Sequence, residues 1–495
     1  MSLPPPESPR EKRVPERKGG RSPRPRWKTK FETLKAENET VKAENESLRV
    51  ENEALKVRIA RLEKNSSTSS KPPSSDLVKP KSEQRQPGVR KAGGQRGHPG
   101  VKRALLPPEA MNVLRVLPLK ACPDCGHGVH PAPEAPARVH QQFELPKRPL
   151  RSTQYTRPGF YCPDCARTVS AALPEGVRED ELCGPRLQAL IAGMKGRLGA
   201  SYSQLEQFSR EVLGLSLSRS TLCALVRRSS EGLRESVEEV HAAVRTLPSV
   251  HVDETRWKNS GHPRWVWAAC NESLCFFMVQ KTRSAVELRA LLGDAFAGAI
   301  HSDFYCIYVG YPSEKKQFCL AHLMRDVKFL TTLPPGATRD WGDRVLADFR
   351  PLWGAWHARD EGPPDLALEA LKTARSALKQ RLDGDLPPRG AGLTLRDRMQ
   401  RHWDSLFRFI EDPDLYSPTN NAAERAIRSL VLLRSPTQGS RSEWGDLWIA
   451  RSQTVFETCR LQHRNAWTFL TDAIVAARHG LPAPSLLPTA SPPER

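Results

Sequence analysis

The sequence predicts a multidomain protein in which a coiled coil, a zinc ribbon and a helical region precede a mixed α/β domain. Three observations carry this. Leucine or valine recurs every seven residues from Leu34 to Leu62, and two Cys-Pro-Asp-Cys knuckles begin at Cys122 and Cys162. From about residue 246, β-prone runs alternate with helical ones.

Charge sets the class of partner. Lys plus Arg is 76 and Asp plus Glu is 56, a formal net charge of +20 over 495 residues. That surplus favours a polyanion, nucleic acid before an anionic membrane surface. No apolar run approaches the roughly 18 residues of a transmembrane helix, and the opening MSLPPPESPR has no signal-peptide pattern. A soluble, cytoplasmic protein is expected. In a reducing compartment its 11 cysteines point to metal ligands and buried thiols more than to disulfides.

Residues 1–30 hold ten Lys or Arg against three Glu, with many prolines, and read as a disordered basic arm, either solubilising or DNA-contacting. Residues 31–64 read as a coiled coil. Leu34, Val41, Leu48, Leu55 and Leu62 fill the d positions, and Phe31, Asn38, Asn45, Asn52 and Ile59 the a positions. Asparagine at a specifies register and favours a parallel dimer. The charges agree, because Glu37, Glu44, Glu51 and Arg58 at g each face an opposite charge at the following e position: Lys42, Arg49, Lys56 and Glu63. Residues 65–105, rich in Ser, Pro, Gly and Lys/Arg, read as a basic linker able to track phosphates.

Residues 106–178 read as a zinc ribbon. Cys122, Cys125, Cys162 and Cys165 form two matching CxxC knuckles, the pattern of a four-thiolate Zn2+ site. Their separation exceeds that of the compact version, so a hairpin or loop must fill it. A redox CxxC would not explain the duplication. Residues 179–245 read as helical. Leu205, Phe208 and Val212 share one face, Gly214 makes a turn, and Ser218 can cap a second helix carrying Leu222 and Val226. This is a helix-turn-helix layout, with Arg219, Ser220, Arg227 and Arg228 as candidate DNA contacts.

The α/β domain is placed at 246–478. Asp253 ends a short β-prone run, two strands and a helix follow, and Asp303 stands at the exit of another strand. A strand and the helix LMRDVKFL come next. Residues from about 330 to 412, helical and broken by PPG, GPP and PPRG, read as a helical insertion. Beyond it, YSPTNNAAERAIRSL opens a helix at which Glu424 has two readings. With Asn421 it fits a capping box; with Asp253 and Asp303 it would be a third carboxylate for divalent ions. Residues 479–495 read as a disordered tail.

The order of heptads, SSKPPSSD, GGQRGHPG, paired CPDC, HVDET, HSDFYCIY, CLAHLMR and SPTNNAAERAIR resembles the transposases of insertion-sequence family sixty-six, from about residue 30 to residue 470. The resemblance implies an RNase H-like catalytic domain with an Asp-Asp-Glu triad at Asp253, Asp303 and Glu424, using Mg2+ or Mn2+. It implies action on terminal inverted repeats of double-stranded DNA, two small accessory proteins of the same element, and a bacterial, nucleoid-associated location. CLAHLMR is similar to a Cys-x-x-His-x-x-Arg-like segment of that family, which sets His322 and Arg325 near the site. The loop DFYCIY departs from a more usual Asp-Gly-Tyr. Arg425 and Arg428, beside Glu424, are candidate phosphate contacts. The chemistry asks for the same set, since in-line phosphodiester cleavage uses two divalent ions held by carboxylates. The competing class is a dimeric DNA-binding regulator with an inert RNase H-like domain.

Overall fold

A computed structural model describes residues 26–65, 67–68, 104–130, 139–179 and 181–488. Most of the basic arm and of the linker, and the last seven residues, lie outside the described residues.

The heptad segment is one helix, α1 (Arg26–Leu62), about 55 Å long at 1.5 Å per residue. Its d side chains are 47–61 % exposed in the single chain, an apolar stripe that the described residues leave largely uncovered. Lys42 and Lys56 pair within the helix with Glu39 and Glu53 at 3.0 and 2.8 Å, contacts worth only about 0.2–0.5 kcal/mol each. The last turns meet the region of the helix Leu320–Thr331. Val57 and Ala60 pack on a buried cluster, and Lys64 lies 3.6 Å from Asp326 and 4.5 Å over the Phe329 ring. A peptide spanning 31–64 is expected to be a parallel dimer by light scattering; a monomer at high micromolar concentration would refute the seam. Asn45→Leu should raise its melting temperature while loosening the choice of oligomer.

Residues 104–130 and 139–179 are largely irregular. A short antiparallel hairpin, β1 (Gly159–Cys162) and β2 (Arg167–Ser170), is their only ladder among the described residues. None of these residues joins a buried apolar cluster, and Val116 and Leu117 are almost bare.

Four helices follow: α2 (Pro185–Arg197), α3 (Tyr202–Glu211), α4 (Arg219–Gly232) and α5 (Arg234–Val244). They lead into β3 (Ser249–Asn259), β4 (His262–Cys270), β5 (Cys275–Gln280), α6 (Ala285–Leu292), β6 (Ala299–Ser302), α7 (Cys306–Gly310), β7 (Lys316–Phe318) and α8 (Leu320–Thr331). The sheet order is β5-β4-β3-β6-β7. The first three strands are antiparallel, and β6 and β7 join parallel to β3. This is the mixed layout expected from the alternating runs.

Side chains alternate across β3. Val250 and Val252 enter one core with α2, α4, α5 and α6, whereas Trp257 enters another under α13 (Asn421–Thr437), against Ala423, Ala426, Ile427 and Leu430. Asp253 therefore points to the face that α13 covers. The open edge of β5 is closed by α14 (Glu443–Leu461), whose Thr458 and Thr454 hydroxyls accept from the Cys275 and Phe277 amides at 3.1 and 3.0 Å. This disposes of an otherwise unpaired strand edge.

The helical insertion consists of α9 (Ala337–Ala358), α10 (Pro364–Gly384), α11 (Ala391–Arg401) and α12 (Trp403–Glu411). It shares a core with β7 and α8. The chain leaves and returns at one place: the Leu320 amide donates to the Pro418 carbonyl at 2.9 Å, and the Asn420 amide to Cys319 Sγ at 3.2 Å. The last helix is α15 (Ala466–His479).

The expected disordered tail is ordered as far as residue 488. Leu486 is fully buried, Ser485 bonds Glu239, and the Pro484 carbonyl accepts from Ser236. Proline-rich composition suggested disorder, but an extended segment with one apolar anchor can lie along α5 and bond through its carbonyls. Among the described residues no helix is long and apolar enough to cross a membrane.

Candidate functional site

Backbone register brings the first two carboxylates together. In the parallel pair β3 and β6, Val250 faces Ile300 and His251 faces His301. The pairing ends there, and Asp253 and Asp303 each follow two residues on, near enough for the Asp303 charge to act on Asp253. Asp303 stands at a strand exit, as expected. Asp253 does not: β3 runs on to Asn259, so Asp253 lies mid-strand, paired with Ala268 of β4. The extension reads as loop in sequence because Glu254, Arg256 and Lys258 are charged. Glu254 is buried on the opposite face, bonded by Arg283 and Tyr308, while Arg256 and Lys258 are exposed around buried Trp257.

The two histidines form the next layer. Their rings stack at 4.2 Å, and burial lowers their pKa values to about 4 for His251 and about 3 for His301, so both are neutral. His251 Nδ1 donates to Asn420 Oδ1 at 3.1 Å. His301 Nε2 accepts from the Ser417 amide at 2.9 Å. Asn420 Nδ2 donates to the Val252 carbonyl at 2.7 Å. The segment SPTN is thus fastened to both strands immediately before their aspartates.

That fastening decides the position of Glu424. The capping box with Asn421 does not form. Asn420 occupies the N-cap, makes no side-chain cap, and spends its amide on β3. Glu424, free of the helix terminus, turns toward α8, with Oε1 3.4 Å from the Arg325 guanidinium and 3.5 Å from His322 Nδ1. His322 is neutral too, lowered to about 4 by burial and the nearby Arg325, so the Arg325 contact is the ionic one. His322 and Arg325, the residues singled out in the CLAHLMR segment, thus lie beside Glu424. Arg425 and Arg428 are exposed on the outer side of α13.

Burial, then the charges of Glu254, Asp303 and Glu424, hold the Asp253 carboxyl well above the usual carboxylate range. Burial also raises Asp303, against the pull of the Tyr305 amide and Arg283. Asp253 and Asp303 each accept one backbone amide, from Glu254 and Tyr305, both at 2.8 Å and both on Oδ1. Repelling carboxylates with oxygens to spare are a donor set suited to cations. Asn420 and Cys319 were missed from sequence as residues with a role; the signal was the doubled Asn and the CLAH quartet, but their contacts cross about a hundred residues.

The cysteine knuckles are formed separately. At the first, the Gly126 amide bonds the Cys122 carbonyl at 2.9 Å and the Cys122 amide bonds the His127 carbonyl at 2.7 Å. Backbone amides of Asp124 and Cys125 hold the Cys122 thiol below its ordinary value, and those of Cys165 and Asp164 do so for Cys162. Amides aimed at sulfur favour the thiolate that a metal takes. The four sulfurs are not gathered, however. Among the described residues, three or more such donors meet within 4.8 Å only at Cys319, His322 and Glu424. A module without its own core depends on a staple, so the expectation stands as a test: one Zn2+ per chain by metal analysis, lost in Cys162→Ser. Equal zinc in both proteins would contradict the ribbon.

In the helical pair, Ser201 and Gln204 form a capping box on α3, and Ser218 caps α4 through the Thr221 amide. Gly214 takes the turn at φ +67°. The buried face of α3 is Leu205 and Ser209, with Phe208 half-buried and Val212 exposed, so the expected apolar stripe is rotated. Helix α4 is embedded against α2, α14 and α15. Arg219, paired with Glu206 at 2.9 Å, and Ser220 sit at its exposed start, and Arg227 is exposed. Arg228 is not on that face: it lies 3.4 Å from buried Glu181.

Two family models match the chain. One, described as Transposase IS66 family, matches residues 181–446, more than half of the chain. The other, a family of unknown function (DUF6444), matches residues 23–104. No curated protein matches it.

Proposed function

The chain belongs to the IS66 family of transposases, and from that premise we propose that it cleaves and joins DNA at the ends of an insertion sequence. The observation that supports the proposal is electrostatic: the charges of Asp303 and of Glu424, on α13, both act on the buried Asp253 carboxyl of β3. The order β5-β4-β3-β6-β7 supports an RNase H-like reading of the domain.

The three carboxylates fit Mg2+ or Mn2+, because they are hard oxygen donors with excess negative charge between them. When bound, such ions activate the attacking oxygen and stabilise the leaving one. The chain's own residues do the rest. Asn420, His251 and His301 fix the carboxylates relative to one another. Arg325 holds Glu424 in place, and Arg425 and Arg428 on the outer face of α13 would grip phosphates. Water attacks the phosphodiester at the element end and frees a 3′-hydroxyl, which then attacks target DNA. No protein nucleophile is required.

End recognition is assigned to the first 230 residues, through the knuckles and the exposed start of α4 at Arg219 and Ser220, with Arg227 as a further contact. Two copies would act together through α1, with two small accessory proteins of the same element as further partners.

The test is incubation of the full chain with DNA carrying a terminal repeat, with and without Mg2+. Metal-dependent nicking and joining is expected; DNA bound but left uncut would favour the inert regulator. Affinity should fall steeply with salt, with a log–log slope of about −0.9 per phosphate contacted. A fragment starting near Val250 that selected the end as well as the full chain would displace recognition from the N-terminal part.

A further inference from the structure

Cys319 and His322 bracket the start of α8, and the three-residue spacing sets both on the side that faces α13. Glu424 comes to meet them because Asn420 pins the beginning of α13 to β3. One ligating atom of each residue lies within 4.8 Å of the other two. His322 Nδ1 is buried and has no hydrogen-bond partner among the described residues. Its 3.5 Å separation from Glu424 Oε1 is long for a hydrogen bond. It matches the ~3.4 Å between two donors on one tetrahedral ion with bonds near 2.1 Å. Cys319 Sγ accepts the Asn420 amide at 3.2 Å, and the amides of His322 and Ala321 also favour its thiolate.

We infer that Cys319, His322 and Glu424 bind one borderline-soft divalent ion, Zn2+ or a similar transition metal, at a site that shares Glu424 with the Asp253–Asp303 pair. Thiolate and imidazole donors select such an ion over Mg2+, which prefers oxygen alone. A metal takes Cys319 as the thiolate, so binding releases the thiol proton to solvent. Water completes the shell. Arg325 competes with the ion for Glu424 and swings away when it binds. Zinc and the hard ions of the carboxylate triad thus contend for one carboxylate, and zinc bound on the thiolate side withdraws it from DNA cleavage. The binding site stands on geometry alone; only this competition rests on the proposed function.

Co2+ titration of the metal-stripped full chain, followed by its thiolate charge-transfer absorption and by proton release, tests the site. The wild-type protein is expected to bring one more equivalent of Co2+ onto a thiolate than Cys319→Ser or His322→Gln, whatever the knuckles and the carboxylates bind in all three. His322→Gln removes Nδ1, which has no hydrogen-bond partner among the described residues, so it guards against misfolding of the cysteine variant. Equal thiolate-to-Co2+ absorption in wild type and His322→Gln overturns the site. Micromolar Zn2+ should then slow Mg2+-dependent cleavage by wild type at least tenfold more than by His322→Gln. Extra uptake without that difference overturns the competition and leaves the transposase reading untouched.

Discussion

Asp253→Asn, Asp303→Asn and Glu424→Gln are each expected to lower DNA cleavage and strand transfer by roughly 10²–10⁴-fold. A charged oxygen lost from a two-ion site forfeits several kcal/mol of transition-state stabilisation, at about 1.4 kcal/mol per decade. DNA binding should persist, because the Lys and Arg side chains assigned to phosphates are left in place. Stability should move the other way. Burial raises the Asp253 and Asp303 carboxyls, so the folded chain keeps protons that the unfolded chain has released. Their contribution to stability is therefore present at low pH and is lost as pH climbs from about 4 through the raised values. Asp253→Asn removes that loss and should melt above the parent in chelator-containing buffer at neutral pH, the gap narrowing in acid. Glu424 makes no capping box, so Glu424→Gln leaves the helix start intact. A Glu424→Gln protein with normal magnesium-dependent strand transfer would remove Glu424 from the reaction.

Asn420→Ala should destabilise the catalytic domain by about 2–6 kcal/mol. It strands the Val252 carbonyl and the His251 N–H, and each buried polar group left unsatisfied costs about 1–3 kcal/mol. Activity should fall as well, since the same bonds fix the start of α13 relative to Asp253. Asn420→Asp should not rescue it: a carboxylate accepts from His251 but offers no donor to Val252. Denaturant unfolding followed by tryptophan fluorescence gives the number. A change below about 0.5 kcal/mol, the range of an ordinary surface substitution, would show that the stitch does not hold the domain.

What could be read in the sequence was what is local. The heptad of α1, the two knuckles, the strand leading to Asp303 and the cap of α4 at Ser218 all depend on neighbours a few residues away. The length of β3 did not, because the burial of Glu254 depends on Arg283 and Tyr308. Glu424 was legible as a carboxylate of interest, but its capping partner was misassigned, since Asn420 takes up Val252 and His251 from a strand about 170 residues earlier. Arg228 looked like its neighbour Arg227 until Glu181 claimed it. Residues 481–488 looked like tail because Leu486 finds its pocket only after α5 is in place.

The meeting of Cys319 and Leu320 with Pro418 and Asn420 has a consequence for how such a chain can change over time. The insertion departs and returns through one doorway, so the position of Glu424 does not depend on how many residues lie between. Lengthening or shortening the exposed turn at 359–363, between α9 and α10, would leave the carboxylates where they are. The core that α12 shares with β7 through the Gln317 bond to the Leu406 carbonyl, 2.9 Å, could not be discarded in the same way. By contrast, one residue added between Val250 and Asp253 would turn the aspartate to the far side of the sheet. Drift in length is therefore open to the helices and closed to the strand.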